Sequence, residues 1–544
     1  MTAGIVQRQS LVKIVDEIAR SRPHSVYGYF PRSSSGYKDG FYKLTYRQLA
    51  NAVNGLAWWM AAQLGKCTAS QTLLYVGDND FMQNIMLLAC AKTGYKLLLV
   101  SPRNQLESLR SLIEETKCEI CLAANLQAPF ARLVQEAQPM LAFQTPALQN
   151  LADQRFPQFP YNSGFEDIKD DPVVILHTSG TTTLPKPVVY TNDWVAAYIA
   201  SLQLQPDQND LDQDLKVFNM KGVRFLIMMP PYHAANIFCT SFIAPALQTT
   251  IIIPPAKLPI CMETFLEAIQ TLDIDVAFVP PHFITQLATN EKHLQILETR
   301  LDTLISGGGR ISDTHGDIVS SRVKLVTLYG ATETGSIPEF DCSVTRRDLW
   351  NYIRPHSAAQ WEFRPYRDTG EKNVYEAWII RGDHESSQPV FKLFPNVSDY
   401  CTRDLFVPHP ELQGYWKWSS RIDETICLST GANVSPAVME RGLIQDPTIN
   451  AALMVGNGYA RPCLIVEPHK PCGNSKEKED YVLAIWRSVE TMNSRYFPDH
   501  RILKEYIIVT DENKPMARSL KGIVQRKMTI SLYEAIIQGL YDSV

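Results

Sequence analysis

Tyr46, Leu49, Ala50, Val53 and Ala57 recur at helical spacing behind Thr45, which forms a capping box with Gln48 three places on, and together they predict a helix over residues 46–64. Short apolar runs then alternate with helical periods. The runs predict strands over 72–76, 95–100 and 118–123, and the periods predict helices over 81–92 and 106–115. Such alternation implies parallel strands joined by helical crossovers. It resumes at 173–176 and continues through strands at 225–229, 250–253, 276–279, 303–306 and 324–328. After Gly335 the texture shortens to Trp361, Phe363, Val374, Tyr375, Trp378, Ile379, Ile380, Phe391 and Leu393 between polar turns, the pattern of small antiparallel strands. Beyond Arg421-Ile422-Asp423 the pattern predicts a helix over 436–443, strands over 451–455 and 461–466, a helix over 478–492 and a terminal helix. The expected fold class is α/β. A large N-terminal body, residues 1–422, holds mixed and parallel sheets with helices plus a small β subdomain, and a smaller, mobile α+β domain occupies residues 423–544.

Composition narrows the function. The chain has 544 residues, 45% hydrophobic and 20% charged, enough for more than one folded unit and unlike a disordered chain. Lys and Arg number 52 against 57 Asp and Glu, a formal charge of −5, which supplies no basic field for a nucleic-acid backbone. The most apolar runs, 96–100 and 249–255, are strand-sized, far below the ~20 residues of a membrane helix. Arg8, Lys13, Asp16, Glu17 and Arg20 interrupt the N-terminal apolar residues, so that segment reads as a surface helix instead of a secretion signal, and a cytoplasmic location is expected. The 11 cysteines are scattered through apolar segments and read as buried free thiols; Cys118 and Cys121 lack the second ligand pair of a zinc site.

Candidate chemistry gathers behind two of the strands. His177-Thr178-Ser179-Gly180-Thr181-Thr182-Thr183-Leu184-Pro185-Lys186-Pro187 follows the 173–176 strand. Small residues let backbone amides face an anion, hydroxyls donate to phosphate oxygens, and Lys186 adds a positive charge. It is not a Walker loop, since no Gly precedes Lys186 and no Ser or Thr follows it; the plain alternative is a polar Ser/Thr turn, against which eight matching positions in one string stand. Tyr329-Gly330-Ala331-Thr332-Glu333-Thr334 follows the 324–328 strand, at the carboxyl end where α/β sheets bind ligands. A Tyr can stack on adenine, a Thr can hold a phosphate, and a carboxylate beside phosphates suits Mg²⁺.

With Tyr400-Cys401-Thr402-Arg403-Asp404 and Ser420-Arg421-Ile422-Asp423, these strings resemble the adenylate-forming superfamily of acyl-CoA synthetases, luciferases and peptide-synthetase adenylation domains over nearly the whole chain. The wording is similar in particular to fungal synthetase-like carboxylate reductases. That likeness rests on residues 42–58, Gly94-Tyr95-Lys96, Ser101-Pro102-Arg103-Asn104, Asp404-Leu405-Phe406, His409-Pro410, Trp416 and Lys521-Gly522-Ile523-Val524-Gln525-Arg526. The resemblance implies ATP and Mg²⁺, a small carboxylic acid substrate, and phosphopantetheine on a carrier domain as acyl acceptor. By the same resemblance, Thr178, Ser179, Gly180, Thr181, Thr182 and Lys186 would hold phosphates and Glu333 the metal. Gly308, Leu328, Tyr329, Gly330 and Thr332 would line the nucleotide, Asp404 and Arg421 the ribose, and Asp423 would be the hinge, with Gly431 facing the thiol tunnel. His233 would gate the acid pocket beside the reacting carboxylate, with Ala234, Val279, Gly307 and Gly308 as its walls and the 306–310 glycine segment passing close to adenine. Lys521 would bridge the acid carboxylate and the α-phosphate; because the family's Gly-Lys order is reversed here, Lys514 and Lys527 stand as alternatives.

Amino-acid-activating relatives commonly place an Asp after the gate to pair with the substrate ammonium. Ala234 stands there instead, and an uncompensated ammonium in a closed pocket is costly, so an aryl or keto acid is expected. Thr183, Asn236, Arg403 and Ser420 replace glycines of the family pattern, each forfeiting close backbone approach or easy access to positive φ. Three readings follow: the activating domain of a carboxylate reductase, a stand-alone aryl- or acyl-CoA ligase, and a catalytically silent nucleotide-binding module. Residues up to Val544 leave no room for a carrier, which is expected downstream in a longer chain or on a separate one.

Overall fold

The computed structural model describes residues 8–543 apart from 66, 68, 69, 103, 105, 179–184, 207–213, 310, 345, 367–372, 423–425, 429–432, 435, 497, 520 and 521. Thr45 and Gln48 make the expected reciprocal cap at the start of the helix Tyr46–Leu64. The helix buries Leu49, Val53, Leu56 and Met60 completely or nearly so.

Two sheets form the body. One has six strands in the order Leu141–Gln144, Cys118–Ala123, Thr72–Val76, Lys96–Leu99, Pro172–His177 and Pro187–Thr191, parallel except for the last pair. The other has seven in the order Lys324–Leu328, Thr303–Gly307, Val276–Val279, Arg224–Ile227, Thr250–Ile252, Val26–Ser33 and Gly36–Thr45, again parallel up to the last pair. The largest core joins their facing sides, with Leu97, Leu99, Val174 and Leu176 from the first and Phe225, Ile227, Phe278, Ile305 and Val326 from the second. Helices Tyr46–Leu64, Met82–Thr93 and Asn192–Leu202 contribute to the same core. Alternate residues point outward to cover each sheet with its own helices, because successive strand side chains take opposite faces. Val279 takes the outward parity: it is completely buried among Phe283, Ile284 and Leu304, so it is a core residue and not a wall of the acid pocket.

The antiparallel subdomain is a five-stranded sheet in the order Tyr352–Ile353, Trp416–Arg421, Asp399–Pro408, Tyr375–Ile380 and Trp361–Pro365. Its register slips between Glu376 and Trp378, where the strand Asp399–Pro408 bulges. Thr402 makes the bulge, its hydroxyl donating to the Ala377 carbonyl at 2.8 Å and accepting from the Asp404 N–H at 3.2 Å. Arg403 sits there at φ +59°, in the left-handed region that a glycine would enter without strain.

The C-terminal unit is a three-stranded sheet, Ile449–Val455, Cys463–Pro468 and Ile507–Val509. Helices Ala437–Leu443 and Ser475–Asn493 cover one face and Arg526–Ser543 packs against the other. Cys90, Cys118, Cys121, Cys239 and Cys463 are buried free thiols, and among the described residues no helix is long and apolar enough to cross a membrane. Replacing Arg403 by Gly should relieve the left-handed strain by more than the added chain entropy costs. The expected gain is about 0.5–1 kcal/mol, read as a higher unfolding midpoint.

Candidate active site

The site is assembled where strands of both sheets end. Strands Pro172–His177 and Pro187–Thr191 form a hairpin whose neck is closed by the Thr178 N–H donating to the Lys186 carbonyl at 3.0 Å and the Lys186 N–H donating to Thr178 Oγ1 at 3.2 Å. Ser179, Gly180, Thr181, Thr182 and Thr183, between them, lie outside the described residues. His177 supports the neck from below. Its Nε2 accepts from the Ser101 N–H at 3.2 Å, which assigns the ring proton to Nδ1, donating to the Thr178 carbonyl at 2.9 Å. Burial holds this imidazole below its usual pKa, so it is neutral at neutral pH.

The strand that follows Lys186 carries Tyr190, whose hydroxyl donates to the Thr332 carbonyl at 2.7 Å, while Trp194 Nε1 donates to the Glu333 carbonyl at 3.3 Å. Both aromatics are fully buried, so the short hairpin pairing Gly330–Ala331 with Gly335–Ser336 is tied by its own backbone to the phosphate-loop stem. Thr334 turns inward, accepting from the Ala331 N–H at 3.1 Å and donating to the Gly335 carbonyl at 2.8 Å. Gly335 is required by its φ of +68° and because a Cβ there would come within 2.5 Å of the Tyr198 ring. Glu333 is left as a half-buried carboxylate at the hairpin tip.

Tyr329 joins the two kinds of sheet. Its ring meets Trp361 and Phe406 edge-on, both at 5.4 Å, and its hydroxyl donates to Asp404 Oδ2. Trp418 Nε1 donates to Asp404 Oδ1 at 3.0 Å, and Arg421 lies opposite Asp404 across the strand pair. A carboxylate is the acceptor that vicinal ribose hydroxyls need. The Tyr400 hydroxyl is pushed up by burial and by Glu333, and it also feels Arg421 and Asp404, which places all three charges around one ring. Gly307 passes the Leu328 carbonyl so closely that a Cβ would sit 2.9 Å from its oxygen, and Gly308 follows at φ +76°. That slot, the paired acid and base, and the Glu333 carboxylate suit a nucleotide with a divalent cation.

On the acid side, His233 caps the short helix Ala234–Ile237, its Nδ1 accepting from the Ala235 N–H at 3.2 Å, which puts the proton of the neutral ring on Nε2. Asn236, where the family pattern has a glycine, is buried and donates to the Met229 carbonyl at 2.9 Å, so it braces the gate loop. Ser420 is buried in extended strand opposite Leu405, next to a register shift that pairs Phe406 with Trp418. A C-terminal hairpin closes over this side through the Arg518–Val524 bridge and the Ser519 N–H to Ile523 carbonyl bond at 2.7 Å. Gly522, at φ +72°, is packed so that a Cβ would lie 2.9 Å from His282 Cβ, and Ile523 Cδ1 fills the space a Cβ on Gly309 would take. Lys521, Asp423, Gly431 and Arg310 lie outside the described residues. Lys514 lies over the Tyr533 ring at 5.0 Å within the small domain. Sequence reasoning missed Tyr190, Trp194 and Trp418; only Trp418, two places before Ser420-Arg421, was near enough to a motif to be noticed.

A model of AMP-binding enzymes matches residues 18–354, and a model of their C-terminal domain matches 423–544. The carboxylic acid reductase of Neurospora crassa is 29% identical over 98% of this chain and 51% of its own length. Adenylate-forming reductase Nps11 of Serpula lacrymans is 27% identical over 84% of this chain and 43% of its own. The chain thus spans about half the length of these curated relatives or less. ATP-bound MatB from Rhodopseudomonas palustris superposes with a TM-score of 0.73 at 16% identity, covering 97% of this chain and 100% of that one. The O-succinylbenzoate coenzyme A synthetase of Bacillus subtilis, in complex with ATP and magnesium, gives 0.68 at 16% identity, covering 95% and 98%.

The lowered pKa of His177 gives a pH expectation. The imidazole is held neutral in the folded state, so its contribution to stability is complete above the unperturbed 6.5 and is lost as pH falls through the lower folded value. His177→Gln should be less stable than wild type at pH 7.5, and the gap should narrow steadily as chemical denaturation is repeated towards pH 5; a constant gap would assign the loss to packing alone.

Proposed function

The chain belongs to the AMP-binding enzyme family, and on that premise we propose that it activates an aryl or keto acid as an acyl adenylate and passes the acyl group to a carrier's phosphopantetheine thiol, as the activating part of a carboxylate reductase. It is an adenylate-forming enzyme, and acid activation is the chemistry its site is built for. The observation that carries the reading is the linkage of the phosphate-loop neck at Thr178 and Lys186, the Glu333 hairpin and the Tyr329–Asp404–Arg421 group at one set of strand ends.

The reaction needs two anions to meet. A carboxylate oxygen bonds to the α-phosphorus as the bond to the β-phosphate oxygen breaks, and pyrophosphate leaves with the electron pair. Positioning and neutralisation are therefore most of the catalytic task. Thr178 and Lys186 are assigned to the outer phosphates, Asp404 and Arg421 to the ribose, and Tyr329 with Gly307 and Gly308 to the adenosine. A magnesium ion held at Glu333 would supply further charge neutralisation to the phosphates. His233, which caps the helix Ala234–Ile237 through Nδ1, is assigned to the gate beside the reacting carboxylate. Lys521 is assigned as the bridging lysine because Gly522 and Ile523, next to it in the chain, rest on His282 and Gly309 at the acid wall. Ala234 offers no carboxylate to an ammonium, which favours acids without one.

ATP–pyrophosphate exchange over a panel of aryl, keto, fatty and amino acids tests this. Exchange with an aryl or keto acid is expected; exchange with amino acids only would overturn the argument from Ala234, and no exchange with any acid would sink the proposal. Formation of acyl-CoA from free coenzyme A would favour a stand-alone ligase. Lys521→Ala should lose roughly 100-fold or more of the exchange rate while still binding ATP; wild-type exchange in that variant would give the role to another lysine.

A further inference from the structure

Behind the nucleotide side lies a buried charge pair that the proposed reaction does not use directly. The strand Lys324–Leu328 is the edge of the seven-stranded sheet, so among the described residues no strand on its outer side fixes the backbone from which Tyr329 emerges. Lys216 fills that role from across the chain. Its side chain is 2% exposed, and its ammonium donates to the Thr327 carbonyl at 2.9 Å, the Tyr352 carbonyl at 3.0 Å and Glu339 Oε2 at 3.0 Å, using all three donors. The Glu339 side chain is 0% exposed, and its other oxygen, Oε1, accepts from the Tyr329 N–H at 3.2 Å. The main chains join too, the Lys216 N–H donating to the Glu339 carbonyl at 2.9 Å. With Ile337 N–H on the Tyr329 carbonyl at 3.2 Å and Asp404 on its hydroxyl, every polar group of Tyr329 is anchored. A second layer extends the brace: Asn219 donates to the Lys216 carbonyl at 2.9 Å and to Asp341 at 2.8 Å, and Asp341 also takes Lys324 at 2.7 Å.

We propose that Lys216 and Glu339 are positioning residues for the nucleotide, a wholly enclosed ion pair that replaces a missing strand and fixes where Tyr329 meets the adenosine. The inference rests on the reading that Tyr329 contacts ATP. A buried ion pair is a poor way to gain stability, since an apolar pair of similar volume usually does as well or better. What a carboxylate and an ammonium provide here, and apolar side chains do not, is directed hydrogen bonds to the 327 carbonyl and the 329 amide. The pair between Lys92 and Asp16, which also includes Asn54, is a control with a similarly enclosed lysine and a carboxylate 15% exposed, and it braces helices of the large body.

Calorimetric titration of ATP, and separately of AMP, into wild type, Glu339→Gln, Lys216→Met/Glu339→Met and Lys92→Met, with a melting curve for each, tests the proposal. Gln keeps the shape of Glu but has one acceptor oxygen for two donors. It should weaken ATP and AMP alike by about fivefold, the worth of roughly one net hydrogen bond. The double Met variant should lose about tenfold or more with its melting point largely kept. Lys92→Met should melt earlier and bind ATP as wild type does. The proposal is overturned if Glu339→Gln binds both nucleotides within about twofold of wild type, or if Lys92→Met weakens them equally, since the pairs would then be structural alone. Should the double variant fail to fold, the isosteric Gln variant still decides. If wild type binds neither ATP nor AMP, it is the proposed function that fails, not this inference.

Discussion

The bond from the Tyr329 hydroxyl to the Asp404 carboxylate is the contact on which the rest of the site depends, because it joins the end of a parallel strand to the bulge of an antiparallel one. The antiparallel sheet supplies the carboxylate and the guanidinium, and the parallel sheet brings the Tyr329 ring to them. The bulge swings Asp404 out of the regular pleat, Trp418 takes its second oxygen, and Arg421 arrives opposite it by strand pairing. The bulge holds Arg403 in a strained conformation, at the position where the family pattern has a glycine.

A site that must receive two anions has to hold its charges before either arrives. Here that is done largely with backbone anchored by buried aromatics. Tyr190 and Trp194 hold the carbonyls beneath Thr332 and Glu333, and they rise from the strand and helix that follow the phosphate loop. The strand leaving Lys186 and the Glu333 hairpin are therefore tied through one buried cluster, the kind of preorganisation that charge neutralisation requires. The C-terminal hairpin is seated through Gly522 and Ile523 against His282 and Gly309. Arg526 is fastened elsewhere, donating to the Met454 carbonyl at 2.6 Å and pairing with Glu440, so it braces the small domain.

The replaced glycines show how local losses are absorbed. Asn236 turns the substitution into a hydrogen bond to Met229, Ser420 occupies extended backbone that any residue can adopt, and Arg403 accepts positive φ. Thr183 lies outside the described residues.

The order of strands and helices was legible in the chain because period two and period 3.6 are local properties, and the capping box at Thr45 and the helix Tyr46–Leu64 needed nothing else. Strands Val26–Ser33 and Gly36–Thr45 escaped that reading: Gly28, Pro31 and Gly36 break the alternation, and the two segments are strands through pairing with each other and, for Val26–Ser33, with Thr250–Ile252. The motif residues were legible by type and spacing, yet their partners were not. Val279 has the composition of a pocket wall, and only its parity in the sheet turned it to the outer core. Lys216 and Glu339 are 123 positions apart and belong to no motif, so their role depends on an edge strand that exists only once the sheet has formed. The sequence by itself determined which groups were available for the chemistry. Tertiary structure decided which of them meet, because the facing of a strand and the ending of a sheet are set by contacts between distant segments.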